Sequence, residues 1–341
     1  MATYKSIVGQ KIKKVSSDPS NPLEGQMWYN STSGTLKVRL NVAAAFSAGG
    51  NLPIGSGYAG SGGTYTAALY HHGLYGPGPQ PNDNKTFEYD GSSWTAGGNV
   101  NQTMRILGSS GSQTSAMAFC GGLNPNNPSF PPQASNKTES YNGSSWSNET
   151  NFPATSVGNS GAGAGETSTL SFGGTQPPGP STTTASYNGS SWTAEPSMNN
   201  GSRSAGGTGT ETAALKTGTT PSPHQNHTEE FDGSSWANGN ASSVPRFINF
   251  ATGGPQTAAF SGGGYDTGTS PYTAISAAES YDGTNWASMA NLANAGVRGG
   301  ASMQTPNANA LIMGGGSSPY LGTSTEEFTA AFIDTKTVTT S

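Results

Sequence analysis

The chain is poor in most of what marks a disulfide-stapled, polyanion-binding or membrane-spanning protein. It has one cysteine, Cys120, in 341 residues, which excludes an internal disulfide framework and any all-cysteine metal site. Charged residues make up only 10% and the net charge is −5. The one basic cluster, Lys11, Lys13 and Lys14, is small and N-terminal. A polyanion-binding footprint is therefore missing, and nucleic acid is not an expected partner. No run of about 18 apolar residues exists, so membrane insertion is not expected. The N-terminus, MATYKSIVGQKIKK, lacks the apolar core of a secretion signal. Hydrophobic residues stand at 31%, below the average for soluble domains, and without disulfides stability must come from packing and strand pairing.

What fills the gap is glycine, with 50 residues, together with Ser, Thr and Asn. Such a composition fits disorder only where aromatics are few, and here they are periodic. Tyr89–Trp94 reads YDGSSW, Tyr141–Trp146 and Tyr187–Trp192 read YNGSSW, Phe231–Trp236 reads FDGSSW and Tyr281–Trp286 reads YDGTNW. The tryptophans lie 52, 46, 44 and 50 residues apart, a period suited to a four-stranded propeller blade. Asp-Gly or Asn-Gly offers two positions that tolerate positive φ, so the spacing predicts a two-residue type I′ hairpin.

A small apolar strand ending in glycines precedes each hairpin, as in Thr114–Gly122, Thr167–Gly174, Thr257–Gly264 and Ala308–Gly316. A glycine-rich stretch lies before that, such as Arg105–Gln113 or Arg203–Glu211, and fits an innermost strand at a crowded axis. Each unit reads as inner strand, second strand, long loop, third strand, tight turn and outer strand. Only five hairpins carry a tryptophan. FSAGGN (Phe46–Asn51) matches WTAGGN (Trp94–Asn99), so the strand around Phe46 is expected to complete the blade built by residues 296–330. A competing closure uses Phe332 to Thr340, with Ile333 at the tryptophan spacing. The expected fold is an all-β, six-bladed kelch-like β-propeller over residues 41–341, preceded by a short β-hairpin segment over residues 1–40.

The third-to-fourth turn is minimal in every repeat. The second-to-third loops are long, dissimilar and rich in proline: residues 74–84, 123–136, 175–182, 219–227 and 265–275. Variable loops on a rigid scaffold are where binding resides. Tyr75, Phe130, Tyr265, Tyr272 and Tyr320 place aromatics there that can stack on sugar faces, or fold the loops back as local plugs. Arg105, Arg203, Arg246 and Arg298 enter the inner strands of four repeats, where guanidinium groups could hold a carboxylate or sulfate, or satisfy loop carbonyls.

No catalytic signature stands out. The histidines are His71, His72, His224 and His227, and an HxxH pair alone is a weak metal signal. Glu88, Glu139, Glu230, Glu279 and Glu327 recur on what read as surface-like strands, one per repeat, which argues against a converging carboxylate pair. No enzyme, no metal and no cofactor are expected.

The N-terminal segment holds DPSNPLEGQMWYNSTSGTLKVR (Asp18–Arg39), whose QMWYN and TLKVR runs alternate as a hairpin should. This motif, followed by YDGSSW repeats, resembles structural proteins of tailed bacteriophages, particularly marine ones. The paired glycines and aromatic-to-Trp hairpin also resemble kelch propellers, with shorter Tyr-to-Trp spacing. The phage resemblance implies a virion fibre or decoration protein. Trp28, Tyr29, Leu36 and Val38 would dock on other virion proteins, and the propeller would meet a host-surface glycan. A homo-oligomer is compatible with that role. The alternatives are a free carbohydrate-binding propeller and, through the kelch resemblance, an oxidase or hydrolase.

Overall fold

The computed structural model describes residues 12–75, 84–123, 133–177, 179–219, 225–247, 252–266, 273–296, 299–315 and 322–338. The described residues form an all-β, propeller-like structure of many small antiparallel sheets, with no α-helix and one 3-10 turn at Gln256–Ala258. It divides into a small unit, residues 1–45 with 330–341, and a large one, residues 46–329.

The large unit carries the repeats. The first sheet orders Gly60–Thr64, Ala67–His71, Thr86–Tyr89 and Trp94–Ala96; the second orders Gly108–Gly111, Ala116–Phe119, Thr138–Tyr141 and Trp146–Asn148. The third is Val157–Gly165, Ser168–Gln176, Thr184–Tyr187 and Trp192–Glu195, and the fourth Gly206–Thr210, Ala213–Thr217, Thr228–Phe231 and Trp236–Gly239. The fifth comprises Thr252–Gly253, Phe260–Gly262, Ala278–Tyr281 and Trp286–Ser288. In the sixth, Gly300–Ala301, Leu311–Met313 and Thr325–Thr329 are joined by Ala45–Ala48 from the other end of the chain. There Phe46 packs on Phe328 at a ring separation of 5.0 Å, the place that Tyr281 and Trp286 occupy at 4.9 Å in the fifth sheet.

First strands of successive sheets lie side by side, which explains their glycines. A Cβ at Gly161 would collide with the Ser109 carbonyl oxygen, and one at Gly253 with that of Ser302. Second strands are apolar on both faces because sheets cover them on either side: Ala116, Met117, Ala118 and Phe119 are fully buried.

Two side-chain bonds recur between neighbouring sheets. The hairpin tyrosine donates its hydroxyl to a carboxylate of the preceding sheet, Tyr141 to Glu88 at 2.6 Å and Tyr281 to Glu230 at 2.8 Å. The hairpin tryptophan donates its indole N–H to a threonine of the preceding sheet, Trp146 to Thr86 at 2.9 Å and Trp236 to Thr184 at 3.1 Å. The first and sixth sheets meet through the same groups. Tyr89 donates to Glu327, Trp94 Nε1 to Thr325 Oγ1 at 2.9 Å, and Gly315 N–H to the Ser56 carbonyl at 2.8 Å.

The hairpins differ from the two-residue type I′ turn that the dipeptides predicted. Tyr89 pairs directly with Trp94, so four residues form each loop. Only the glycine takes positive φ, 92° at Gly91 and 89° at Gly233. The preceding Asp or Asn caps the turn through its side chain instead: Asp90 Oδ1 accepts the N–H groups of Ser92 and Ser93, both at 2.8 Å. These bonds, the Ser93 N–H foremost, hold the Asp90 carboxyl down to about 2. Such capping replaces the second left-handed residue.

The small unit is one sheet, ordered Lys13–Val15, Met27–Asn30, Thr35–Val42 and Phe332–Thr337, the first pair parallel. The expected hairpin is present, with Met27 opposite Val38 and Asn30 opposite Thr35. Assigning all of residues 41–341 to the repeats runs too far at both ends. The strand Phe332–Thr337, the competing candidate for closure, instead pairs with Thr35–Val42 along its whole length.

Candidate functional site

The antiparallel topology sends every second-to-third-strand connection out at one end of its sheet. Phe130, Tyr272, Tyr320 and Arg298 lie outside the described residues. Tyr75 ends the short strand Leu74–Tyr75, which pairs with Ser56–Gly57. Tyr265 is not displayed: it is buried, in a small sheet with Arg246–Phe247 and Thr273–Ala274, and its ring lies 6.1 Å from that of Phe247. It serves as a plug at the root of its loop.

Of the described arginines, Arg246 is spent on the scaffold. Arg246 is fully buried and donates to the Gly263 and Ala277 carbonyls at 3.0 and 3.1 Å and to Glu279 at 2.8 Å. Burial lowers its pKa, against the pull of Glu279. Arg105 is buried and Arg203 half-buried at equivalent places in the second and fourth sheets.

The glutamates taken as one surface series are two series, offset by one residue. Glu88, Glu230 and Glu327 receive the hairpin tyrosines of the next sheet. Glu139, Glu229, Glu279 and Glu326 point the other way and are buried. Each accepts backbone N–H groups from the connection entering its own sheet. Glu139 takes that of Asn101 at 3.2 Å, Glu229 that of Asn199 at 2.8 Å, Glu279 that of Ser243 at 2.9 Å, and Glu326 those of Ala293 and Asn294 at 2.6 and 2.9 Å. The buried series falls in the second, fourth, fifth and sixth sheets, the same four repeats that carry the arginines. The first and third have Phe87 and Ala185 instead. The buried carboxylates tie each incoming connection to its sheet, and in the fifth sheet Arg246 joins Glu279 in doing so.

A further buried polar group joins the first and second sheets. His71 and His72 are fully buried and share an Nδ1-to-Nδ1 hydrogen bond of 2.8 Å, with the Trp146 ring 4.9 and 5.2 Å from theirs. His72 Nε2 stands 3.7 Å from Glu139, too far for a hydrogen bond. Burial pushes the His72 imidazole down to about 3 and the Glu139 carboxyl up to about 7, so the neutral forms are favoured. In the fourth sheet, Lys216 and Glu229 are both buried 3.7 Å apart, and burial lowers the lysine pKa. Among the described residues no group of three His, Cys, Asp or Glu is placed to hold a metal ion.

A cavity of about 20 Å³ is lined by residues of all six inner strands or their approaches, including Ser61, Ser109, Ser160, Gly207, Thr252 and Met303. That is room for about one water molecule, not for a sugar.

In the small unit, the four expected docking residues divide between two faces. Trp28 is buried and donates its indole N–H to Asp18 at 2.9 Å, beneath a segment that also engages Asn30 and Lys37. It is structural. Tyr29, Leu36 and Val38 lie on the opposite face, where Tyr29 is exposed and the other two are half-buried. Alternation along MWYN and TLKVR carries that division, so it could have been read from the sequence.

No family model and no curated protein matches the sequence. Among solved structures, the fold is similar to that of YjhT, with a TM-score of 0.65 at 13% identity over 84% of this chain and 100% of that one. Similarity at that identity concerns the fold alone.

Proposed function

We propose that the six sheets are the blades of a closed six-bladed, kelch-like propeller, and that this propeller is a non-catalytic binding module. The seam contacts of Tyr89, Trp94 and Gly315, which repeat those at internal joints, support closure. The reading is that of a phage virion protein: the loop face meets host-surface glycans, and the small sheet holds the propeller to the particle.

One observation carries the binding role. The buried carboxylates and Arg246 are bonded to the scaffold itself, while the connections at one end of the sheets hold the variable Pro- and aromatic-rich stretches. A frame held rigid in this way can tolerate loop variation at its rim. The discriminating measurement is glycan-array binding by the purified full chain and by variants with residues 124–132 or 267–272 replaced by Gly-Ser stretches of equal length. Binding by the parent that is weakened about tenfold or more in a loop variant is expected. Absence of binding, or binding indifferent to every loop replacement, would sink the assignment. Incorporation is tested by deleting residues 1–40, which should leave a folded propeller that no longer enters particles.

A further inference from the structure

The small sheet has one covered and one open face. On the covered face, Trp28, Asn30 and Lys37 bond to Asp18, Asn41 bonds to Glu24 and Arg39 lies against Asn21. Strand register puts Met27, Tyr29, Leu36, Val38, Leu40 and Val42 on the other face, and Phe332 and Val338 join them from the last strand. Seven large apolar residues are exposed among the described residues, and most belong to this face. Ile12, just ahead of the edge strand, is 51% exposed, Phe332 46%, Leu40 41%, Tyr29 38% and Val338 37%. The other two are Ile54 in the large unit and Leu23, 75% exposed, on the segment that lies over the covered face. Five exposed apolar side chains gathered on one face of a 57-residue unit make a patch of the kind that binds, unlike the isolated Leu23 and Ile54.

Charge and area indicate what covers it. The small unit as a whole has seven Lys and Arg against three Asp and Glu, whereas the large one has seven against sixteen. Of its described cations, Lys13, Lys37 and Arg39 are off the open face and register with Trp28 or with residues on its side. Among the described residues the charges of the open face are Lys14 and a Lys336–Asp334 ion pair of 2.7 Å, so two such faces brought together meet little like charge. Lys13 and Lys14 at one edge, and Asp334 and Lys336 at the other, oppose edge-to-edge strand pairing. Face-to-face contact remains. The five exposed side chains, with the half-buried Met27, Leu36, Val38 and Val42 between them, would bury in a two-fold contact an area near the lower end of specific interfaces, about 1,000 Å².

We propose that the open face of the small sheet is an isologous dimer interface, occupied by the same face of a second copy of this chain. The proposal rests on reading this unit as an attachment module and names what its open face holds. Two propellers would then share one paired attachment module.

Sedimentation velocity of the full chain from about 1 to 50 μM, a range that spans micromolar affinity, tests it. A species of twice the 34.5 kDa chain mass is expected. Leu40→Lys and Phe332→Lys each bury two like charges in the contact and should weaken it about a hundredfold or more. Ile54→Lys should leave it unchanged. Circular dichroism melts of the variants confirm that they remain folded. Independently, Leu40→Cys should cross-link to dimer on mild oxidation where Ile54→Cys does not, Cys120 being buried. A parent chain monomeric throughout that range, a dimer indifferent to both lysine variants, or a trimer would each overturn the proposal. None of these outcomes alters the glycan-array result, so the two readings fail separately.

Discussion

Removing the carboxylate from the Arg246–Glu279 pair tests whether the repeated charges hold the scaffold. Both side chains are at most 1% exposed. Glu279→Gln preserves shape and leaves an acceptor for the Ser243 N–H, but strands the guanidinium with the Gly263 and Ala277 carbonyls alone. Breaking a buried pair from one side costs about 3–5 kcal/mol. At about 2 °C per kcal/mol for a chain of this size, the melting temperature should drop by about 6–10 °C. Arg246→Met should cost less, because Glu279 keeps the Ser243 N–H and hydroxyl at 2.9 and 2.6 Å. The double variant retains neither charge, so its loss should fall short of the sum of the singles by about 2 kcal/mol or more. Scanning calorimetry or urea unfolding of the four proteins measures that coupling. Additivity within about 0.5 kcal/mol, or a Glu279→Gln loss below about 1 kcal/mol, would refute the argument.

Three further outcomes follow from the same geometry. Tyr89→Phe, between the first and sixth sheets, should destabilise about as much as Tyr281→Phe at an internal joint, about 1–2 kcal/mol each by thermal melting. A silent Tyr89→Phe beside a costly Tyr281→Phe would mean an open ring. Gly233→Ala should cost about 1–2 kcal/mol because φ is 89° there, and Asp232→Ala should destabilise the same turn by removing its side-chain cap. For pH, the depressed histidines contribute stability that is present above their unfolded value of about 6.5 and is lost as pH falls. Glu139, raised to about 7, contributes in the opposite sense: its share is present below about 4.5 and is lost as pH rises through 7. His71→Phe with His72→Gly should therefore gain melting temperature relative to the parent between pH 7 and 5, while Glu139→Gln should lose it. Parallel profiles for all three proteins would contradict this.

Much of the architecture was legible because it repeats. Matching Phe46 to the tryptophans anticipated the outer strand of the sixth sheet, since the aromatic at that place must pack on the third strand whichever residue supplies it. The turn chemistry was misread for a physical reason. Asp-Gly satisfies the steric demand of a type I′ turn, but the following Ser-Ser or Thr-Asn gives the Asp side chain two N–H groups to accept, which favours a four-residue loop. The C-terminal strand was misplaced because apolar spacing alone does not distinguish pairing with the sixth sheet from pairing with Thr35–Val42.

The two glutamate series show how much a single residue of offset matters. Glu88 directly precedes its tyrosine, whereas Glu139 and Glu279 stand two residues before theirs. On a strand, that difference moves the side chain to the opposite face. Read as one series, the carboxylates look like a surface stripe and the arginines like a separate ligand ring. Read as two, the buried series coincides with the arginines repeat by repeat, in the second, fourth, fifth and sixth sheets. Where the two are bonded to each other, as Arg246 and Glu279 are, the pairing offsets the cost of burying either partner alone. That pairing takes Arg246 out of the expected ligand ring, while in the second and fourth sheets Glu139 faces His72 and Glu229 faces Lys216.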